Sequence, residues 1–490
     1  MSSTKTVEQP AGAPAPITAK PNKLMKWIIP LALGVIIAVI PPPAGLAPVA
    51  WHYFAAFVMV VAALILEPLP GVVVGFVGVA FCGTLRLVGS TPEDGLRWAL
   101  SGFSNSTVWL IYAASLFALG YEVSGLGRRI ALALVHKLGR STLGLGYAIA
   151  LSDLILAPFT SSNTARASCT FPIFTSIPPL YGSYPNDHPR RIGSYVMWVA
   201  FATQCVSSSI FLTALAPNVL AVELSRKIAK VDISWTQWFV GFLPVGIILF
   251  LSVPLLTYFL YPPELKRGEK VAEWAGAQLK ELGPLTLREK KMGGLAMLAL
   301  IGWIGATRWI DPTMTALAIC ALMMLTGVVT WNEIAGSKMA WTNLTWLATL
   351  VTMADGLARV GFLKWFAASS AVLLARVSVM SMIIGVIVVF FFVHYFFASL
   401  SAHTTALMPV FLAMMMTLPG LPMRPVVMIL GYTLGLMGVI SPYATGPSPM
   451  YYGTGYISTK DFWRLGFIFG VFFLGTLLLV GLPLALKFIH

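Results

Sequence analysis

Charge is what this chain of 490 residues has least of: only 10% of it is Asp, Glu, Lys or Arg, while 58% is hydrophobic. A soluble domain carries roughly 25% charged residues, and the mean hydropathy here is +0.83. That scarcity excludes an ordinary soluble protein and places the chain in a bilayer, with about ten apolar runs long enough to span as helices. Cysteine is scarce too. Cys82, Cys169, Cys205 and Cys320 all fall within apolar segments, with no pairing or metal-ligand spacing, so they read as packing residues and exclude a disulfide framework or a zinc site. Paired carboxylates, a His-rich cluster and a nucleotide-binding loop are missing as well. The expectation is therefore no enzyme, no cofactor and no bound metal. Acidic residues are outnumbered, 18 against 32 Lys and Arg, for a net charge of +14. The basic residues sit in short clusters beside apolar runs, as orientation signals do, which argues against a nucleic-acid partner. Residues 1–24, rich in Pro, Ala, Ser and Thr, read as a disordered cytoplasmic tail. The tail contains no arginine, and no small-residue cleavage site follows the first apolar run, so neither a transit peptide nor a removable signal is expected.

Against this background one stretch stands out, PFTSSNTARASCTFP (158–172), a polar run between two apolar segments with Arg166 in its middle. Each unpaired polar group in hydrocarbon costs several kcal/mol, so such a stretch needs a reason. A second copy lies 237 residues on. Residues 162–174 align without gaps on 399–411, placing Ser162 over Ser399, Arg166 over His403 and Pro172 over Pro409. SIFLTALAP (209–217) aligns on SPYATGPSP (441–449), and the segment from Trp109 to Gly125 matches that from Trp346 to Gly361. Three patches in the same order indicate an internal duplication of about 200 residues.

The expected fold is an all-α polytopic membrane protein with about 11 transmembrane helices and two re-entrant hairpins whose tips are the polar runs. Residues 25–261 hold the first span and the first repeat, 262–291 a charged cytoplasmic linker, and 292–490 the second repeat. With one extra span at the start and five per half, the second copy enters the membrane from the opposite side. Placing the N-terminus in the cytoplasm puts 20 of the 32 Lys and Arg on the inner side, the favoured arrangement. The repeat is therefore inverted, and the protein is expected to lie in a bacterial inner membrane with lipid around it.

Inverted repeats with broken helices are a physical solution for alternating access, with the substrate near the midplane. At each tip one helix ends and another begins, exposing backbone N–H groups and partial positive charge suited to an anion. Ser162, Asn163 and Thr164 at one tip, and Ser399, Ser401 and Thr404 at the other, supply short donors for carboxylate oxygens. The alternative is that these side chains satisfy freed carbonyls at helix breaks. Thr213 and Pro217 in one interrupted span, with Thr445, Pro447 and Pro449 in the other, prevent continuous helical bonding. The carbonyls freed there could bind sodium or line the cavity. Arg166 and His403 occupy equivalent positions. A cation at the bilayer centre costs about 2.5–3.5 kcal/mol, which a di- or tricarboxylate would offset by bidentate bonding. The competing reading gives Arg166 a structural partner, Asp153, and makes His403 a satisfied core histidine. Asp355 and Arg359, four apart, are expected to pair on one helix face. His394, Tyr443 and Tyr451 are further cavity candidates.

At these motifs a family likeness emerges. APFTSSNTARA, SIFLTALAPN, SAHTTALMPVF and SPYATGPSPMYYGTGYI resemble the divalent-anion:sodium symporter (DASS) superfamily over nearly the whole chain after the tail. Within it the likeness is greatest to bacterial citrate/succinate and tartrate/succinate antiporters and to plastid 2-oxoglutarate/malate translocators. The resemblance implies a homodimer with scaffold and transport domains, an elevator-like displacement, and a substrate carboxylate at Ser162, Asn163 and Thr164. The second tip departs from the Ser-Asn-Thr pattern of sodium-coupled members, since Leu400 stands where Asn would be. This points to sodium-independent antiport of di- or tricarboxylates (the succinate, malate, tartrate, 2-oxoglutarate and citrate class), with Arg166 and His403 as fixed positive charge. The alternative is a sodium-coupled dicarboxylate symporter.

Overall fold

The structure, a computed structural model, describes residues 23–306, 309–374, 378–418 and 420–489. Residues 1–22 of the expected tail lie outside the described residues, and the tail's last two residues already belong to the first helix. Regular structure among the described residues is helical throughout. A leading helix α1 (Lys23–Val39) precedes α2 (Pro48–Leu66), α3 (Gly71–Thr84), α4 (Pro92–Leu100), α5 (Ser106–Ser124), α6 (Leu126–Leu138), α7 (Thr142–Leu156), α8 (Asn163–Ser176), α9 (Gly193–Ile210), α10 (Ala216–Ile228) and α11 (Trp235–Leu260). The charged stretch 262–291 folds into α12 (Lys270–Leu282) and the capped first turn of α13 (Leu287–Gly305). Then come α14 (Pro312–Leu325), α15 (Trp331–Ala335), α16 (Lys338–Arg359), α17 (Phe362–Leu374), α18 (Val379–Val393), α19 (Leu400–Met415), α20 (Met423–Leu436), α21 (Ser448–Gly453), α22 (Thr459–Thr476) and α23 (Leu482–Phe488).

The duplication is visible helix by helix. α2 and α13 are both 19 residues long, α3 and α14 both 14, α6 and α17 both 13, and α7 and α18 both 15. The two hairpins share their local chemistry at a constant offset of 237. Ser141 and Ser378 cap α7 and α18, and a single 3₁₀ turn closes each first arm, at 157–159 and 394–396. Ser162 and Ser399 then cap α8 and α19 by accepting from the amides of Ala165 and Ala402. Such caps satisfy donors that no helical carbonyl can reach. Pro172 and Pro409 interrupt the returning arms at the same place.

Two helices form the middle of the molecule. Every residue of α9 is buried, as is α20 from Pro425 to Leu436. A helix apolar on all sides belongs in a core, but α9 also carries Thr203, Gln204, Ser207, Ser208 and Ser209 there. The two cross closely at Gly435, where a Cβ would lie 2.8 Å from the Ser209 amide nitrogen and 2.9 Å from the Cys205 carbonyl. Ser209 Oγ donates to the Tyr432 carbonyl across the crossing. Among the described residues six helices are long and apolar enough to cross a membrane, or up to seven if the bent pair formed by α16 and the start of α17 counts as one. Several further apolar runs fold as shorter helices or as two helices about a break, such as α9/α10 and α20/α21. All four cysteines are free.

Candidate functional site

The first break, 211–215, is held open by extended backbone at Phe211 and Leu215 on either side of a 3₁₀ turn, with Pro217 in the first turn of α10. Its groups are taken up by the first hairpin. Thr213 Oγ1 donates to the Pro158 carbonyl at 2.5 Å and accepts from Trp235 Nε1 at 3.2 Å, while the Ala216 amide donates to the Ser161 carbonyl at 2.9 Å. Hairpin tip and helix break are thus stitched together before any ligand is considered.

Arg166 does most of the stitching. It is 0% exposed. Nε donates to Asp153 Oδ1 at 3.1 Å, Nη1 to the carbonyls of Thr160 (3.2 Å) and Ala214 (2.6 Å), and Nη2 to Ser208 Oγ at 2.7 Å. Asp153 also accepts from Ser207 Oγ and, at 3.4 Å, from Gln204 Nε2, which reaches the Asn163 carbonyl at 2.7 Å. This changes the expectation that Arg166 faces a substrate carboxylate. A guanidinium at this depth is costly unless paired, and a carboxylate, two carbonyls and a hydroxyl already hold it behind the tip. The Asp153 pairing considered from sequence is the one observed. Gln204 was not singled out. A glutamine within a wholly buried helix was the signal for it.

On the other side of the tip the groups are more open. Ser162 and Thr164 are half-buried, and Asn163, though buried, extends Nδ2 to Thr445 Oγ1 at 2.7 Å, joining the first hairpin to the second repeat's break. Gly446 is exposed and abuts Thr164, whose hydroxyl a Cβ at that position would overlap. Pro449 is exposed and Pro217 buried. Ser162, Asn163, Thr164 and Thr445 are therefore brought together around the first turn of α8, where amide N–H groups and the positive end of the helix point outward.

The second tip differs. Ser399 is half-buried, while Leu400, Ser401, His403 and Thr404 are buried. Thr404 Oγ1 donates to the Leu400 carbonyl at 2.8 Å, and Thr405 repeats the pattern onto Ser401, so these hydroxyls serve their own helix rather than a ligand. His403 is 0% exposed, boxed by Phe390, His394 and Phe397, and neither ring nitrogen has a hydrogen-bond partner. His394 Nε2 bonds the Ala444 carbonyl at 2.8 Å. Both hairpins thus end on adjacent residues of one loop, the first on Thr445 and the second on Ala444.

The returning arms are also differently covered. On α8, Ser168, Pro172 and Ser176 form an exposed stripe leading away from the tip, whereas their counterparts on α19, Thr405, Pro409 and Ala413, are buried. α19 packs on α10 and α17, and its alanines join the smaller apolar cluster of α2, α3, α16 and α17. No residue of the first hairpin belongs to that cluster among the described residues. Asp355 and Arg359 pair as expected, at 2.5 Å, and Lys227 of α10 bridges to Asp355 at 3.7 Å.

Comparisons with known proteins place this geometry. The family model for the sodium:sulfate symporter transmembrane region matches residues 21–485. The citrate/succinate antiporter of Escherichia coli (strain K12) is 48% identical over 480 residues, covering 95% of this chain and 98% of that protein. The L-tartrate/succinate antiporter of the same strain is 47% identical over 471 residues, covering 93% and 97%. Among solved structures, Neisseria gonorrhoeae MtrF superposes with a TM-score of 0.54 at 14% identity, over 85% of this chain and 94% of that one, a likeness of fold alone.

Proposed function

This chain belongs to the sodium:sulfate symporter transmembrane family, and we propose that it exchanges di- or tricarboxylates across the membrane by sodium-independent antiport. The naming of its relatives as citrate/succinate and L-tartrate/succinate antiporters supports the substrate class and the mode. What carries sodium independence is Arg166. The carbonyls that a broken helix frees are natural ligands for a small cation, and at this break the Thr160 and Ala214 carbonyls are taken by one nitrogen of a built-in cation. In the second repeat the Ala444 carbonyl is likewise taken, by His394.

In this reading one carboxylate binds at the first turn of α8, to the hydroxyls of Ser162 and Thr164 and the amide of Asn163. The exposed stripe of α8 leads it to one side of the membrane. The covered face of α19 is the equivalent route to the other side, closed in this conformation. Movement of the hairpins with α9–α11 and α20–α22 against α2–α5, α13, α14 and α16 would open one as it shuts the other, the elevator displacement. A homodimer, about 11 spans, the domain boundaries at 261 and 291, and an inner-membrane placement with the N-terminus inside complete the proposal. An empty carrier would carry the unmet N–H groups of the first turn of α8 and the half-buried Ser162 and Thr164 into hydrocarbon, where each unpaired polar group costs several kcal/mol, so only loaded sites move. The test is a panel of counter-substrates inside proteoliposomes, with labelled succinate outside. Saturable uptake that requires an internal di- or tricarboxylate is expected, and uptake into empty vesicles at the same rate would refute exchange.

A further inference from the structure

The second hairpin holds a group that the exchange reading leaves unused. His394 and His403 lie with ring centroids 5.0 Å apart and planes at 81°, closed in by Phe390 and Phe397. Of their four ring nitrogens, only His394 Nε2 has a partner, the Ala444 carbonyl. A carbonyl only accepts, so Nε2 carries the hydrogen and Nδ1 of His394 is a bare, buried acceptor. His403 must hold one unbonded N–H and one unbonded lone pair. Buried polar atoms are ordinarily satisfied. Two of these three unbonded nitrogens are bare lone pairs on adjacent imidazoles, each a base able to take up a proton.

We propose that His394 and His403 form one proton-binding site that fills when a carboxylate binds at the first hairpin, so that each anion crosses with one proton. The inference rests on the carboxylate-exchange reading. The proton comes from water on the side where substrate enters, forms an N–H bond at a bare imidazole nitrogen, and leaves when the substrate leaves. The existing bond to Ala444 is kept. Coupling is local: His394 holds the carbonyl of Ala444, and Asn163, which would contact the carboxylate, holds the hydroxyl of the next residue, Thr445. An imidazolium in an apolar box is unfavourable alone and is offset by a dianion nearby. By reciprocity the proton must tighten substrate binding as much as substrate tightens the proton. One-for-one exchange then carries one proton in each direction, with no net proton movement.

Other charges packed against this hairpin are accounted for. Glu223, Arg226 and Lys227 of α10 bond one another, and Asp355 of α16 pairs with Lys227 and Arg359. Lys364 of α17 and His52 of α2 are exposed, and Arg424 begins α20. The Tyr443 hydroxyl donates to the Tyr395 carbonyl. None of them bonds either imidazole.

The test is calorimetric titration of succinate into the full chain at neutral pH, in two buffers of different ionisation enthalpy. Uptake of about one proton per succinate is expected, with affinity falling about tenfold per pH unit once the pair is deprotonated. In His394→Gln and His403→Gln the uptake should fall towards zero. Should a variant not fold, nitrogen-labelled imidazole spectra of the unmodified chain, which has six histidines, provide a second measure. Succinate should convert a ring from neutral to imidazolium. Binding heat without buffer dependence, unchanged uptake in both variants, or unmoved imidazole signals would overturn the proton site while leaving carboxylate binding intact. Absence of binding heat in every buffer would instead overturn the carboxylate reading itself, and the proton site with it.

Discussion

The two hairpins are the same backbone used for different chemistry. Their caps, 3₁₀ turns and interrupting prolines coincide at an offset of 237 residues. Yet at the equivalent position the Arg166 side chain makes four hydrogen bonds and that of His403 makes none. One tip is a wired cation fastening a hairpin to a helix break. The other is an uncommitted imidazole in an aromatic box, under a helix arm that is covered where its twin is open. A duplication keeps geometry because the backbone's unsatisfied groups must be met in both copies, whereas the side chains that meet them are free to diverge.

The largest effect that would sharpen this contrast is at Arg166. Arg166→Ala leaves Asp153 as a buried, unpaired carboxylate, a loss of about 3–5 kcal/mol, and should abolish exchange. His403→Ala removes no hydrogen bond and should cost less in thermal stability. Equal destabilisation, measured by unfolding of the purified proteins, would break the contrast. Arg166→Lys should not rescue, because a point charge with three donors cannot serve a carboxylate, two carbonyls and a hydroxyl in one plane.

Next in size is the bond between the halves. Asn163→Ala and Thr445→Ala should each weaken succinate affinity in competition assays. If the 2.7 Å bond is the shared cause, the double variant should be little worse than the worse single one, with a coupling of about 0.5–3 kcal/mol. Strict additivity would mean that the two residues act separately.

How much of this could be read from the chain is uneven. The hairpins, their tips and the repeat were legible, since caps, prolines and polar runs are local signals repeated at fixed spacing. The direction in which Arg166 points was not. Its partners lie 13 residues behind it in Asp153 and 42 and 48 ahead in Ser208 and Ala214, and only the packed fold decides between them and a ligand. Thr404 misled for a related reason: its hydroxyl is within reach of its own helix's carbonyl, a choice invisible in spacing. His394 gave a weak signal because its partner, Ala444, is a backbone atom.

Smaller effects probe the tips themselves. Gly446→Ala should crowd the Thr164 hydroxyl and raise the KM for succinate several-fold with little change in maximal rate. An unchanged KM would place the carboxylate elsewhere. Leu400→Asn restores to the second tip the residue of the Ser-Asn-Thr pattern. It should not create sodium dependence, because the nearby Ala444 carbonyl is already held by His394, and sodium-stimulated uptake by that variant would show that the tip residue alone sets coupling.

The most direct measurement is uptake of labelled succinate by the unmodified protein in proteoliposomes, with an inward sodium gradient and with none, into vesicles either loaded with succinate or empty. If Arg166 takes the place of a mobile cation, loaded vesicles should fill equally with and without sodium and empty ones should stay empty. Sodium-driven filling of empty vesicles would contradict the account.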